Sequence, residues 1–389
     1  IPGMIYRQVD VIFSTGKKNR EYFVSRYGGM QYYNAGCLTM GFITDVNNNG
    51  EKYKFPRLTE EIGKPMAIAF ENVIKSTKYY KNYRLNNTAV PKNVLEEFGK
   101  IVSLDLKGFN ECKELLKKAL FTQTRNVNLN NTKLIESAKY IQLLHDKYNY
   151  KYCGLKEMRK MLFDYFSPRG EYKYWFDDEL KEIITDWEVV VGRQYFTISV
   201  EMIWKYMLAI LDVPMQLNEW LNRSINTSKW NMNINENLSN YIESCNYNFD
   251  EREKMIEQGY RGAQNIESNI ESALKILLSL YNRFKDRRDV NEIYLGMGGN
   301  ISLHSLIQLI EEYKERSVYE IVVYIMENWI VEQHKITAFN KMVEGRDGYY
   351  FECIDGDTYA KKRDVYPDFQ GIRMIQLNQV MKDLDMWSE

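Results

Sequence analysis

The chain has 389 residues, enough for two or three domains of ordinary size and a substantial core without disulfide or metal staples. Its 52 Lys and Arg cancel its 53 Asp and Glu, which excludes a global field drawing it to nucleic acid or an anionic membrane, so any such binding must be local. Five cysteines, Cys37, Cys112, Cys153, Cys245 and Cys353, stand without a CxxC pair, which argues against a disulfide framework or a zinc ribbon. No apolar run approaches the roughly eighteen residues of a membrane span, and no signal segment is recognisable. A soluble, cytoplasmic protein with no membrane association is the expectation.

In chain order, the first residues mix short β-prone runs, Val9–Phe13 and Gly41–Thr44, with Asn and Gly turns such as Asn47–Gly50. From Leu58 the period becomes helical, with Thr59 as cap and a helix predicted over Pro65–Ser76 that buries Ile68, Ala69, Phe70 and Val73. Pro91 starts a short helix through Phe98. Phe109, Cys112, Leu116, Ala119 and Leu120 space a further helix, and Leu134, Ala138, Ile141 and His145 another. Asn126–Asn131 is a polar joint. The longest helical signal runs from Asp178 to Leu211, about 50 Å at 1.5 Å per residue, with Gly192 as a candidate kink. Asn222–Asn248, poor in aliphatic residues, is expected to be a surface excursion or mobile connection. A second long helix is expected from Asp250 to Phe284, entered through acids and left through Lys285, Arg287 and Arg288, the charge order that the helix dipole favours.

The last ninety residues read as helix, helix, helix, hairpin, helix, the element order of a winged-helix module. Leu303, Leu306, Ile307 and Ile310 form one apolar stripe. Ser317 with Glu320 fits a capping box ahead of Val318, Ile321, Val322, Ile325 and Trp329. Ile336, Phe339 and Val343 mark a third helix ending at Gly345. Asp355-Gly356 between β-prone runs predicts a hairpin, because glycine tolerates positive φ. Leu377, Val380, Met381 and Leu384 close the module. In helix-turn-helix DNA readers a recognition helix enters the major groove while neighbouring basic groups hold phosphates. The corresponding residues are Lys335 and Lys341 on the third helix and Lys361, Lys362 and Arg363 on the returning strand. Glu332, Glu344, Asp347, Glu352, Asp355 and Asp357 dilute that field, which favours a protein-docking role as much as a DNA-reading one.

No catalytic or cofactor motif stands out, and no metal or cofactor is assigned. The three histidines, His145, His304 and His334, are far apart and form no HExxH or Cys/His cluster. His334, at a junction of two helices, reads as a turn-capping or core residue. A metal-dependent nuclease would need clustered carboxylates with a nearby Lys. Asp105 with Glu111-Cys112-Lys113, Glu312-Tyr313-Lys314, and the hairpin set Glu352, Asp355, Asp357 and Lys361 are the candidates. Gly296, Gly298 and Gly299 precede a helix but lack GK[ST] or GxGxxG, so a flexible joint is expected there. Arg169–Phe176 and Tyr79–Arg84 interleave aromatic and basic residues as single-strand binders do, with packing against neighbouring helices as the plainer explanation.

Leu58-Thr59 with Gly63, Ala67 and Ala69-Phe70-Glu71, Tyr165–Gly170, Trp187 with Arg193-Gln194-Tyr195-Phe196, and Gln333-His334 with Lys341 together resemble a group of bacterial proteins of unassigned activity associated with restriction and phage-defence loci. The likeness spans most of the chain and carries no catalytic residue. What it implies is a bacterial multi-component defence context. The expected fold is mainly α with minor α+β character: a small mixed region over 1–57, a helical body over 58–290 and a winged-helix-like module over 291–389. The expected function is a non-catalytic nucleic-acid-recognition or scaffold subunit whose partners are other protein subunits and DNA. A metal-dependent nuclease and a purely protein-binding scaffold are the alternatives.

Overall fold

The computed structural model describes residues 36–47, 50–85, 89–102, 109–121, 132–148, 154–166, 180–261, 269–287, 290, 295–296, 301–343, 348–369 and 371–386. The protein is mainly helical with small antiparallel sheets, as its helical periodicities predict. Contacts divide the chain into two compact units, 1–152 with 373–389, and 153–372. Composition instead suggests breaks at 57/58 and 290/291. The difference arises because the C-terminal stretch 373–389 returns to the first unit, a long-range arrangement that composition does not signal.

In the first unit, β1 (Ile43–Val46) and β2 (Lys52–Leu58) pair antiparallel, with Ile43 opposite Leu58. The Thr59 hydroxyl accepts the Gly63 N–H at 2.9 Å, and α1 (Gly63–Ile74) starts two residues before Pro65. Its inner stripe is Met66, Ala69 and Val73, packed on Phe109 and Cys112. Ile68 and Phe70, expected inside, are exposed. At 100° per residue they flank the stripe on either side of Ala69. The unit continues through α2 (Lys78–Asn82), α3 (Lys92–Ile101), α4 (Asn110–Phe121) and α5 (Thr132–Tyr148). The last helix of the chain, α15 (Arg373–Asp383), packs on α5, and Lys113 on α4 donates to Asp385 at 2.7 Å. That helix was expected to close the terminal module. It belongs to the first unit instead, where Met374 and Met381 are buried as it packs on α5. Val9–Phe13, Asp105 and the Asn126–Asn131 joint lie outside the described residues.

In the second unit, α6 (Leu155–Asp164) precedes α7 (Lys181–Ile210), the predicted spine, a helix of 30 residues. Gly192 does not break it. A Cβ there would lie 2.8 Å from Phe284 Cε2 and 3.4 Å from Phe163 Cε2, so the glycine lets two rings approach the helix. The single helix expected over Asp250–Phe284 is described as α10 (Phe249–Arg261) and α11 (Asn269–Phe284), with 262–268 outside the described residues. α7 packs on both, on α6, and on α8 (Leu217–Thr227).

The stretch Asn222–Asn248 departs from the sequence expectation. Its first residues finish α8, and the short helix α9 (Ser239–Ile242) lies near its end. Between them the backbone is pinned: Glu271 accepts the Met232 N–H at 3.3 Å as well as the Asn231 N–H, Ser239 N–H donates to Lys314 O, and Val318 N–H donates to Glu236 O. Leu238 is fully buried. A polar composition reads as a loose excursion, but here amide and carboxylate groups supply the ladder that apolar side chains do not.

Candidate functional site

The residues of the expected terminal module lie in the second unit, on α12 (Leu303–Tyr313), α13 (Val318–Tyr324), a π-helical segment (Ile325–Glu332), α14 (Gln333–Val343) and the strands that follow. Ser317 caps α13 with Glu320 as a reciprocal capping box, and Val318, Ile321, Val322, Ile325 and Trp329 are all buried, as their spacing predicts. The π segment, a rare conformation frequent at functional sites, is not legible in the sequence.

Beyond it the expected stripe fails. Ile336, Phe339, Met342 and Val343 are 52, 55, 50 and 71% exposed. The inward face of α14 is carried by His334 and Ala338, four residues apart. Gly345 lies outside the described residues.

The predicted hairpin is present as β4 (Phe351–Asp355) and β5 (Thr358–Lys361), with Gly356 at φ +52°. It is not a free wing. β5 is the middle strand of a sheet ordered β3, β5, β4, in which β3 (Met215–Gln216) comes from the connection after α7. Trp220 on α8 anchors the sheet: its indole N–H donates to Met207 O at 2.7 Å and its ring stands against Phe351 and Tyr359.

His334 ties α14 to this sheet. Its Nε2 accepts the Tyr350 N–H at 3.2 Å, and its ring lies 4.4 Å from Phe351 and 5.2 Å from Trp204 on α7. Burial holds its pKa down at about 4, so the ring is neutral near pH 7. The carbonyl of Tyr350 accepts the N–H groups of Lys362 and Arg363 at 2.8 and 3.1 Å. One histidine and one tyrosine backbone thus join the two groups of candidate cations.

Most of those cations already face anions or rings. Lys335 pairs with Glu332 at 2.6 Å; burial alone would lower its pKa, but the Glu332 and Tyr359 contacts hold it above the ordinary lysine value. Lys361 pairs with Asp364 at 3.0 Å and Lys362 with Glu352 at 2.7 Å. Arg363 sits over the Tyr350 ring at 4.3 Å. Among the described residues Lys341 has no carboxylate within ion-pair distance.

The nuclease candidates do not converge. Among the described residues no three His, Cys, Asp or Glu side chains form a group that could hold a metal ion. Lys113 is held by Asp385, Lys314 by Glu311 and Lys361 by Asp364, while Glu352 is taken by Lys362. His145 and His304 lie on α5 and α12 in different units. Of the glycine run only Gly296 is described, beside a Leu295 whose carbonyl accepts the His304 N–H. Arg169–Phe176 and Cys153 lie outside the described residues, and Cys37, Cys112, Cys245 and Cys353 are free thiols.

Sequence reasoning missed a buried ionic network in the same unit. Arg159, Arg252, Arg283 and Arg287 face Asp164, Glu188 and Glu253. Arg159 forks onto Glu253 at 3.0 and 2.6 Å, Arg252 meets Asp164, and Arg283 and Arg287 meet Glu188 at 2.5 and 3.1 Å. Tyr195 donates to Glu253 at 2.9 Å and Tyr165 donates to Glu188; burial and these carboxylates push both phenols well above the ordinary range. The available signal was a charge inside an apolar run, Arg159 among Met158, Met161 and Leu162, and Glu188 beside Val189 and Val191. The network can fix how α6, α7, α10 and α11 pack.

Comparison with known proteins finds no family model that matches the chain, no similar curated protein and no similar solved structure. Among the described residues no helix is long and apolar enough to cross a membrane.

Proposed function

We propose that the chain is a non-catalytic recognition or scaffold subunit of a bacterial multi-component defence system, and that it docks a separate protein subunit on α14. The observation that carries this reading is the outward stripe of Ile336, Phe339, Met342 and Val343. Apolar side chains at this spacing suit a helix-in-groove contact, in which each Å² removed from water contributes about 25 cal/mol. Lys335 on this helix is already paired with Glu332, so the occupant is recognised by its apolar groove. The defence context rests on the resemblance of the sequence.

A nucleic-acid reading has one observation in its favour: His334 and Tyr350 tether α14 to the 361–363 run, so Lys341 and Arg363 belong to one assembled element suited to phosphate positioning. Its weakness is the ion pairing of Lys335, Lys361 and Lys362.

Co-expression with the products of the adjacent genes tests the choice. One neighbour should be recovered on the tagged wild-type chain and lost at least tenfold on Phe339→Asp, an exposed position whose change leaves the fold intact. Equal recovery of every neighbour on both chains overturns docking through α14. Salt-sensitive DNA retention abolished by charge reversal at Lys361, Lys362 and Arg363 supports the nucleic-acid reading instead, and plasmid cleavage abolished by EDTA overturns a non-catalytic role.

A further inference from the structure

The first unit carries a second basic element, within the aromatic-basic segment Tyr79–Arg84. Tyr79 turns inward onto Phe98, with ring centroids 4.5 Å apart, which accounts for one aromatic as packing. The remainder lines an open depression of about 370 Å³ bounded by Lys75, Tyr80, Lys81, Asn82, Arg84 and Leu85. Among the described residues three cations line it and no carboxylate does.

The nearby acids are engaged at its edge, Glu71 with Arg84 at 3.2 Å and Glu97 with Lys78 at 3.6 Å. Lys75 Nζ donates to the neutral Asn72 side chain at 2.9 Å. Lys81, exposed in the last turn of α2, has no carboxylate within ion-pair distance among the described residues. Like charges gathered around one concavity repel, and an anion placed among them relieves that repulsion. At α14 and the hairpin carboxylates pair three of the cations, whereas here Glu71 pairs Arg84 alone, and Lys75 and Lys81 have no such partner among the described residues.

Two features narrow the anion. The volume falls at the lower end of small-molecule sites, roughly 300–1,000 Å³, larger than a lone phosphate requires. Arg84 lies over the Tyr80 ring, 3.7 Å from its centroid, and the outer face of a ring-stacked guanidinium is a plane on which bases stack. Leu85 beside it is 82% exposed and adds an apolar edge.

We infer that this depression binds the phosphate of a nucleotide, with Lys75 and Lys81 contacting the phosphate and Arg84, backed by Tyr80, receiving the base. The nucleotide is either free or part of a single strand, which present the same chemistry. This inference is independent of docking through α14, because it rests on other residues.

The test uses the full chain with labelled oligothymidylate, AMP and inorganic phosphate, comparing wild type with the exposed double variant Lys75→Gln/Lys81→Gln. Oligothymidylate should bind by anisotropy, with affinity falling at least tenfold in the variant and the salt slope falling by about 1.4, two phosphate contacts at about 0.7 each. Competition by AMP at equal site concentration assigns a free nucleotide, and its absence assigns a strand; both support the site. Lys64→Gln, an exposed lysine of the same unit whose ammonium pairs with Glu60, should leave the binding unchanged. The inference is overturned if neither nucleotide ligand binds, if the variant at Lys75 and Lys81 binds as the wild type does, or if inorganic phosphate alone binds.

Discussion

Arg159 and Glu253 meet as a two-pronged ion pair with both side chains almost wholly removed from water, 6 and 4% exposed. Desolvating two charges costs several kcal/mol, which the fork and the Tyr195 hydroxyl offset only while both partners are present. Glu253→Ala should therefore lower unfolding stability by about 3–5 kcal/mol, the usual cost of stranding a buried charge. Arg159→Met/Glu253→Leu should recover most of the loss. Urea denaturation at constant m value measures both, and a single-variant cost under about 1 kcal/mol would contradict the geometry.

Gly192 tests a packing claim in which two effects oppose. Alanine favours a helix interior over glycine by about 1 kcal/mol. Its methyl, however, would sit 2.8 and 3.0 Å from two atoms of Phe284, a ring buried against Phe163. Overpacking of this kind costs about 1–3 kcal/mol. Gly192→Ala should destabilise the protein despite the propensity gain, whereas a rise in Tm would mean that the rings yield.

What was legible follows from how local each feature is. The Ser317–Glu320 box, the Val318–Trp329 stripe, the long α7 and the Asp-Gly turn depend on residues a few positions apart, and each stands where its spacing puts it. The pairing of β3 with β5 and the Glu271 contacts to Asn231 and Met232 join distant segments that no periodicity connects. The candidate site divides the same way. Lys335–Glu332 and Lys361–Asp364 are three residues apart and could be read from sequence. Lys362–Glu352 needed the hairpin register, which sets Phe351 opposite Lys361. The exposure of Phe339 depended on which face of α14 the hairpin covers, and that is a tertiary fact.

His334 should make stability fall in acid. Its pKa drops from 6.5 to about 4 on folding because burial disfavours the charged ring. Between those values the unfolded chain binds a proton that the folded chain excludes, so stability rises with pH over pH 4 to 6.5 and is lost as pH falls through that window. In His334→Gln, whose side-chain oxygen can accept the Tyr350 N–H, the dependence of Tm on pH from 6.5 to 4 should flatten relative to wild type. Parallel Tm profiles for the two proteins would show that this group does not titrate as its surroundings require.

The pairing of the candidate cations predicts how nucleic-acid affinity would respond if their acids were neutralised. Glu332, Glu352 and Asp364 hold Lys335, Lys362 and Lys361 at 2.6, 2.7 and 3.0 Å, and each cation so held is less available to a phosphate. Such exposed pairs contribute only about 0–1 kcal/mol to folding, so Glu332→Gln/Glu352→Gln/Asp364→Asn should leave stability nearly unchanged. Duplex DNA retention should nevertheless strengthen. If all three freed lysines reach phosphates, the slope of log affinity against log salt should steepen by up to about 2.7, three contacts at about 0.9 each. Filter binding across a salt series measures it. An unchanged slope with an intact fold would mean that this face does not meet the DNA backbone even when its charge is released, and would leave the apolar stripe of α14 as its remaining contact surface.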